Sequence, residues 1–228
     1  AKKRQKDKVR RKIRIEIVPY VAMSDRQKIR ECRRWPVHEC LINPSWRDLG
    51  IADILFSRRQ PDGLLVVGRY LVDIFCLGVK DTTCAADFPL SRYQDELVVR
   101  PGEALAPCPP DLVHHIIYGS IEFARQFGFQ PHPNFKRSQR LLEEKDAFRP
   151  VEGVEFGREG KPFYVAGPRD DVPRILRQME HAAGQGNFDF LYPSDSPMPH
   201  LPDYPDQTVW AEDITEEGPS LRRYDQER

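Results

Sequence analysis

Hydrophobic positions along the chain follow two periods. Ile13, Ile15 and Ile17 alternate with Arg14, Glu16 and Val18, which reads as a short half-buried strand ending at Pro19. Ser24 or Asp25 then caps a short helix running to about Arg34. The clearest signal is a hairpin: Ile51 to Arg59, a turn at Gln60-Pro61-Asp62-Gly63, and a strand from Leu64 to about Leu77. Pro and Gly supply the backbone angles of a tight reversal. Both faces of the second strand are mostly apolar, which predicts a central position in a sheet. From 78 to 110 apolar periodicity fades while Asp and Pro accumulate, so a long connection is expected.

Helical spacing returns at Leu112 to Phe127, with Asp111 as the expected cap, Gly128 as a left-handed stop and Phe129 placed for a Schellman contact. A second helix is predicted from about Pro133 to Lys145, burying Phe135, Leu141 and Leu142 and exposing Lys136, Arg137 and Arg140. Val151 to Phe156 and Pro162 to Ala166, joined through Gly157 to Gly160, read as a second hairpin. Asp170 or Asp171 then caps a helix from Val172 to Ala183, whose stripe is Val172, Ile175, Leu176 and Met179. The expected class is therefore α+β: a mainly antiparallel sheet from hairpins at 51–77 and 151–166, covered by helices near 112–127, 133–145 and 172–183. Extended tails flank it: a basic arm at 1–12 and an acidic, Pro-rich stretch at 192–228, leaving 13–191 as one domain.

Composition changes this picture little. The 228 residues are 39% hydrophobic with 21 Pro, enough for one core that needs neither disulfide nor metal. The mean hydropathy is −0.61, and no apolar run approaches the roughly 20 residues of a membrane span. Ile13 to Val18 is too short and too charged for the apolar part of a signal peptide. Five cysteines, an odd number without regular spacing, suit free thiols in a reducing compartment. A cytoplasmic location and no membrane partner are expected.

Charge is more informative. The formal net charge is zero, yet Lys2, Lys3, Arg4, Lys6, Lys8, Arg10, Arg11, Lys12 and Arg14 crowd the first fourteen residues. Through Arg34 there are fourteen Lys and Arg against Asp7, Glu16, Asp25 and Glu31, a net of +10 that the rest of the chain cancels. Arg26, Lys28, Arg30, Arg33 and Arg34 carry the positive surface onto the body. Such segregation suits a polyanion, because each neutralised phosphate releases condensed counterions.

Candidate chemistry is sparser. Asp73 lies mid-strand among apolar residues, where an unpaired carboxylate is costly. It implies either a structural partner or, with Glu122 and Asp81 or Asp171, a metal-dependent nuclease holding divalent ions. His115, Tyr118 and Glu122 fall on one line of the 112–127 helix, a pattern that serves general acid–base work or simply faces solvent. Cys32, His38 and Cys40 have no regular zinc spacing. Gly157-Arg158-Glu159-Gly160-Lys161 lacks the helix that a phosphate-binding loop needs.

These features predict a nucleic-acid-associated protein that binds structured RNA or a ribonucleoprotein. The expected contacts are the nine basic residues from Lys2 to Arg14 with Arg30, Arg33 and Arg34, and no cofactor is expected. Two alternatives stand beside it. One is a nuclease or hydrolase using Asp73, His115, Tyr118 and Glu122, with a divalent metal in the nuclease case. The other is an assembly factor whose acidic tail binds a basic protein.

Overall fold

The computed structural model describes residues 20–93, 104–193 and 221–223. The predicted strand at 13–18 and the arm lie outside them. Five strands, β1 (Val37–Ile42), β2 (Ile51–Arg59), β3 (Leu65–Asp73), β4 (Gly78–Phe88) and β5 (Ala106–Pro107), form an antiparallel sheet in the order β4-β3-β2-β1-β5. A smaller sheet has the order β6-β7-β8, from Phe163–Val165, Asp189–Pro193 and Leu221–Arg223. The helices are α1 (Asp25–Glu31), α2 (Trp46–Leu49), α3 (Leu90–Arg92), α4 (Pro110–Gln126), α5 (Phe135–Ser138) and α6 (Val172–Ala183). The class is α+β, as the patterning predicts.

One face of the large sheet supplies Ile54, Phe56, Val66, Tyr70 and Val72 to the main core, closed by Val113, Ile116, Ile117 and Ile121 of α4 and Ile29 of α1. The hairpin is in register, Ile54 opposite Tyr70 and Phe56 opposite Gly68. At the end of α4, Gly128 has φ +79°, and the Phe129 and Gly128 amides donate to the Ala124 and Arg125 carbonyls at 3.1 and 3.0 Å. That is the Schellman closure the sequence predicts. The helix starts earlier than expected, with Pro109 as its cap and Asp111 inside the first turn.

Four expectations are corrected. The strand from Leu64 stops at Asp73, because the Asp73 carboxylate accepts from the Phe75 and Cys76 amides and turns the chain. The connection expected from 78 onward is instead β4, an edge strand of eleven residues. Its buried Thr82 satisfies its hydroxyl on the Arg69 carbonyl and Ser138, while Asp81, Thr83 and Ala85 face solvent. An edge strand whose apolar residues, Val79, Cys84, Ala85, Ala86 and Phe88, do not alternate escapes a periodicity reading.

The helix at 133–145 contracts to the single turn α5, because side chains from elsewhere take the backbone groups a longer helix would use. Arg58 and Arg33 hold the Leu141 and Leu142 carbonyls, both at 2.6 Å, while His114 and Tyr118 bind the amide and carbonyl of Glu143, both at 2.8 Å. The hairpin at 151–166 is absent apart from one bridge between Arg158 and Lys161. Residues 151–157 are tied to neighbours instead: Val151 donates to His115 and Gly157 to the Ile74 carbonyl. The chain then enters β6, which runs parallel to β7 with α6 as the crossover.

The boundary drawn at 191/192 falls inside β7, and Leu221–Arg223 from the acidic stretch pairs with that strand. Truncation after Leu191 removes β8 and the end of β7, and is expected to lower the thermal midpoint by on the order of 4 °C. An unchanged midpoint in a thermal melt would show that β8 contributes nothing to stability.

Candidate functional site

The basic residues of α1 and of the segment around α5 face each other. Arg26 and Arg30, one turn apart, form one wall, and Lys136, Arg137 and Arg140 form the other. Ile29 and Pro133 also line this groove, whose volume is about 710 Å³. Among the described residues Asp25 is its single acid, which leaves them a net charge of +4. Arg30 contacts Glu31 at 3.4 Å, but among the described residues no carboxylate pairs with Arg26, Lys136, Arg137 or Arg140. Cations left unpaired at close quarters create a positive potential that a polyanion relieves.

The fold recruits the other basic residues differently. Lys28 is buried and held by Asp87 at 2.7 Å. Arg33 bonds Glu144 and the Leu142 carbonyl, which commits it to the body. Arg34, its side chain 80% exposed, pairs with Glu31 at 3.2 Å. Of Arg26, Lys28, Arg30, Arg33 and Arg34, which the sequence predicts to carry the positive surface onto the body, Arg26 and Arg30 line the groove. The basic residues from Lys2 to Arg14 lie outside the described residues. The groove's cations are visible in sequence as exposed basic positions of two predicted helices, but nothing in the sequence places those helices side by side.

The candidate catalytic residues divide. His115, Tyr118 and Glu122 line one pocket of about 550 Å³ between α4 and residues 145–156. The Nδ1 of His115 accepts the Val151 amide at 2.9 Å, so the neutral ring carries its proton on Nε2. Tyr118 donates its hydroxyl to the Glu143 carbonyl, and Glu122 bonds Lys145. His115 and Tyr118 thus spend polar atoms on structure. Neighbouring His114 is fully engaged, with Nδ1 2.6 Å from the Pro110 carbonyl and Nε2 accepting the Glu143 amide. Burial lowers its pKa.

Asp73 does not line this pocket; it caps the β3–β4 turn and is 3% exposed. Burial pushes its pKa up to about 6, against the pull of Lys80 and three backbone amides. Lys80 itself bonds Asp170 at 2.6 Å. Burial alone would raise Asp170, but Lys80 and the Gly167 amide outweigh it and hold that carboxyl below the usual range. Asp81 faces a separate recess with Asp53 and Arg69, and Asp171 caps α6. Among the described residues no three His, Cys, Asp or Glu side chains are grouped to hold a metal ion. All five cysteines are free, and burial raises their thiol pKa values. No described helix is long and apolar enough to cross a membrane.

The chain matches no protein-family model, and no curated protein or solved structure is significantly similar to it. The groove and the pocket are therefore what bears on function.

Proposed function

We propose that the protein is nucleic-acid-associated and binds structured RNA or a ribonucleoprotein through the α1/α5 groove together with its basic arm. The observation that supports this is the groove's five cations on two facing walls, four of them without a carboxylate partner among the described residues. Facing rows suit the two sides of a phosphate backbone. Among the described residues no aromatic side chain lines the groove, so these residues offer no platform for stacking unpaired bases. Contacts to phosphate position a nucleic acid without reading its sequence, which fits recognition of structure over sequence. Within the cell such a protein belongs with cytoplasmic RNA.

The test is titration of a labelled hairpin RNA at several salt concentrations. The double variant Arg137→Glu/Arg140→Glu is expected to lower affinity about 10- to 100-fold across unrelated sequences and to reduce the log–log salt slope by about 2. Deleting residues 1–12 should reduce the slope further. Affinity unchanged by both alterations would sink the proposal.

A further inference from the structure

The pocket on α4 has a chemistry that the phosphate groove does not use. Rings of Tyr118, Phe148 and Phe156 line it, and Gly119 lets Phe156 lie directly on the helix, where an added Cβ would come within 2.1 Å of the ring. Tyr118 and Phe148 are nearly parallel with centroids 5.8 Å apart, and His115 stands edge-on to Phe156 at 5.6 Å. Among the described residues, two carboxylates, Glu122 and Asp146, and one ammonium, Lys145, line it. Aromatic faces and one surplus carboxylate together favour a cation and disfavour phosphate. A cation already sits there, since Lys145 bonds Glu122 within the pocket.

We propose that this pocket binds the guanidinium of an arginine side chain from a basic protein segment, and that Lys145 is a resident cation which the incoming arginine displaces from Glu122. A planar guanidinium can stack on an aromatic ring while its fork meets a carboxylate in two parallel hydrogen bonds, which an ammonium cannot do. The alkyl stem of the arginine supplies apolar contact to Phe148 and Phe156. Glu122, Gln126, Lys145 and Asp146 at the rim are exposed, so a passing peptide can reach in with one side chain. Displaced Lys145 moves to solvent at little cost, because its side chain is already 51% exposed.

The full chain is titrated with a blocked Gly-Gly-Arg-Gly-Gly peptide and its citrulline counterpart, following the NMR shifts of His115 and Tyr118. The arginine peptide should bind and the citrulline peptide should bind at least about tenfold more weakly, because the charge-assisted fork is lost. Glu122→Gln should weaken binding about tenfold, and Lys145→Ala, which removes the competitor, should tighten it about threefold or more. Both positions are exposed, so thermal midpoints should stay at the wild-type value, and Phe148→Leu tests the ring face separately. Equal binding of the two peptides, or weaker binding in Lys145→Ala, would overturn the proposal. Free agmatine binding as tightly as the peptide would reassign the site to a small molecule, and guanosine binding in place of arginine would reassign it to a nucleobase. Arg137→Glu/Arg140→Glu should leave peptide binding intact, so failure here and failure of the phosphate groove are separate results.

Discussion

Arg58→Ala is expected to destabilise the protein by about 3–5 kcal/mol in denaturant unfolding. Arg58 lies on β2 with its side chain only 2% exposed. Its guanidinium donates to the carbonyls of Leu141 at 2.6 Å, Trp35 at 2.8 Å and Arg33 at 3.3 Å, and it pairs with Glu143. Alanine would leave carbonyls from two separate segments without a donor, and each orphaned group costs about 1–3 kcal/mol. Arg58→Lys should recover only part of the loss, because an ammonium cannot reproduce the fixed fork. Glu143→Gln should cost under about 1 kcal/mol, since that side chain is 37% exposed and water can replace the ion pair. If Arg58→Ala unfolds within about 1 kcal/mol of wild type, those carbonyls reach water and the residue is no structural hub.

Arg58 also shows why part of the fold is illegible in the sequence. Residues 133–145 have adequate helical spacing, and Phe135, Leu141 and Leu142 are buried as predicted. What the spacing does not contain is the competition for backbone groups from Arg33, Arg58, His114 and Tyr118, which lie 25 to 109 positions away in sequence. Elements whose signals are local are readable. The turn 60–63, the Gly128 stop and the α6 stripe all appear where the pattern puts them, because each depends on residues within one turn or one strand. β4 and β6 depend on partners instead: β4 is an edge with polar outward positions, and β6 finds β7 only across the α6 crossover.

The same division runs through the candidate sites. The alignment of His115, Tyr118 and Glu122 follows from helical period alone, and the three do share a pocket. Asp73 is a buried carboxylate, as its apolar neighbours in sequence imply, but its partners are the amides of its own turn, which hydrophobic patterning does not encode. In the basic region, charge alone does not separate Arg30, which lines the groove, from Lys28 and Arg33, which the fold consumes. Excess positive charge in sequence is thus an upper bound on the charge a surface presents.

Asp73 gives the second large effect, visible as a dependence of stability on pH. One of its oxygens accepts the Phe75 and Cys76 amides at 3.0 and 2.9 Å, while Oδ2 is buried with no hydrogen-bond partner. The nearby ammonium of Lys80 is bonded to Asp170, so it compensates Asp73 only at a distance. Burial therefore pushes the carboxyl from 3.8 to about 6 in the folded protein. A carboxyl raised on folding binds its proton more tightly in the native state. Its stabilising contribution is full below about pH 3.8 and is lost as pH climbs through about 6. The difference in proton affinity between the folded and unfolded chain is worth about 3 kcal/mol. Asp73→Asn keeps the acceptor for the two turn amides and cannot ionise. Relative to wild type, its unfolding free energy should therefore improve by about 2 kcal/mol between pH 4 and pH 7.5, the remainder falling below pH 4. Taking the difference between the two proteins cancels opposing groups such as His114, whose lowered pKa makes stability rise with pH near neutrality. A difference curve that stays flat across that range would mean that Asp73 is as well solvated in the folded protein as in the unfolded chain.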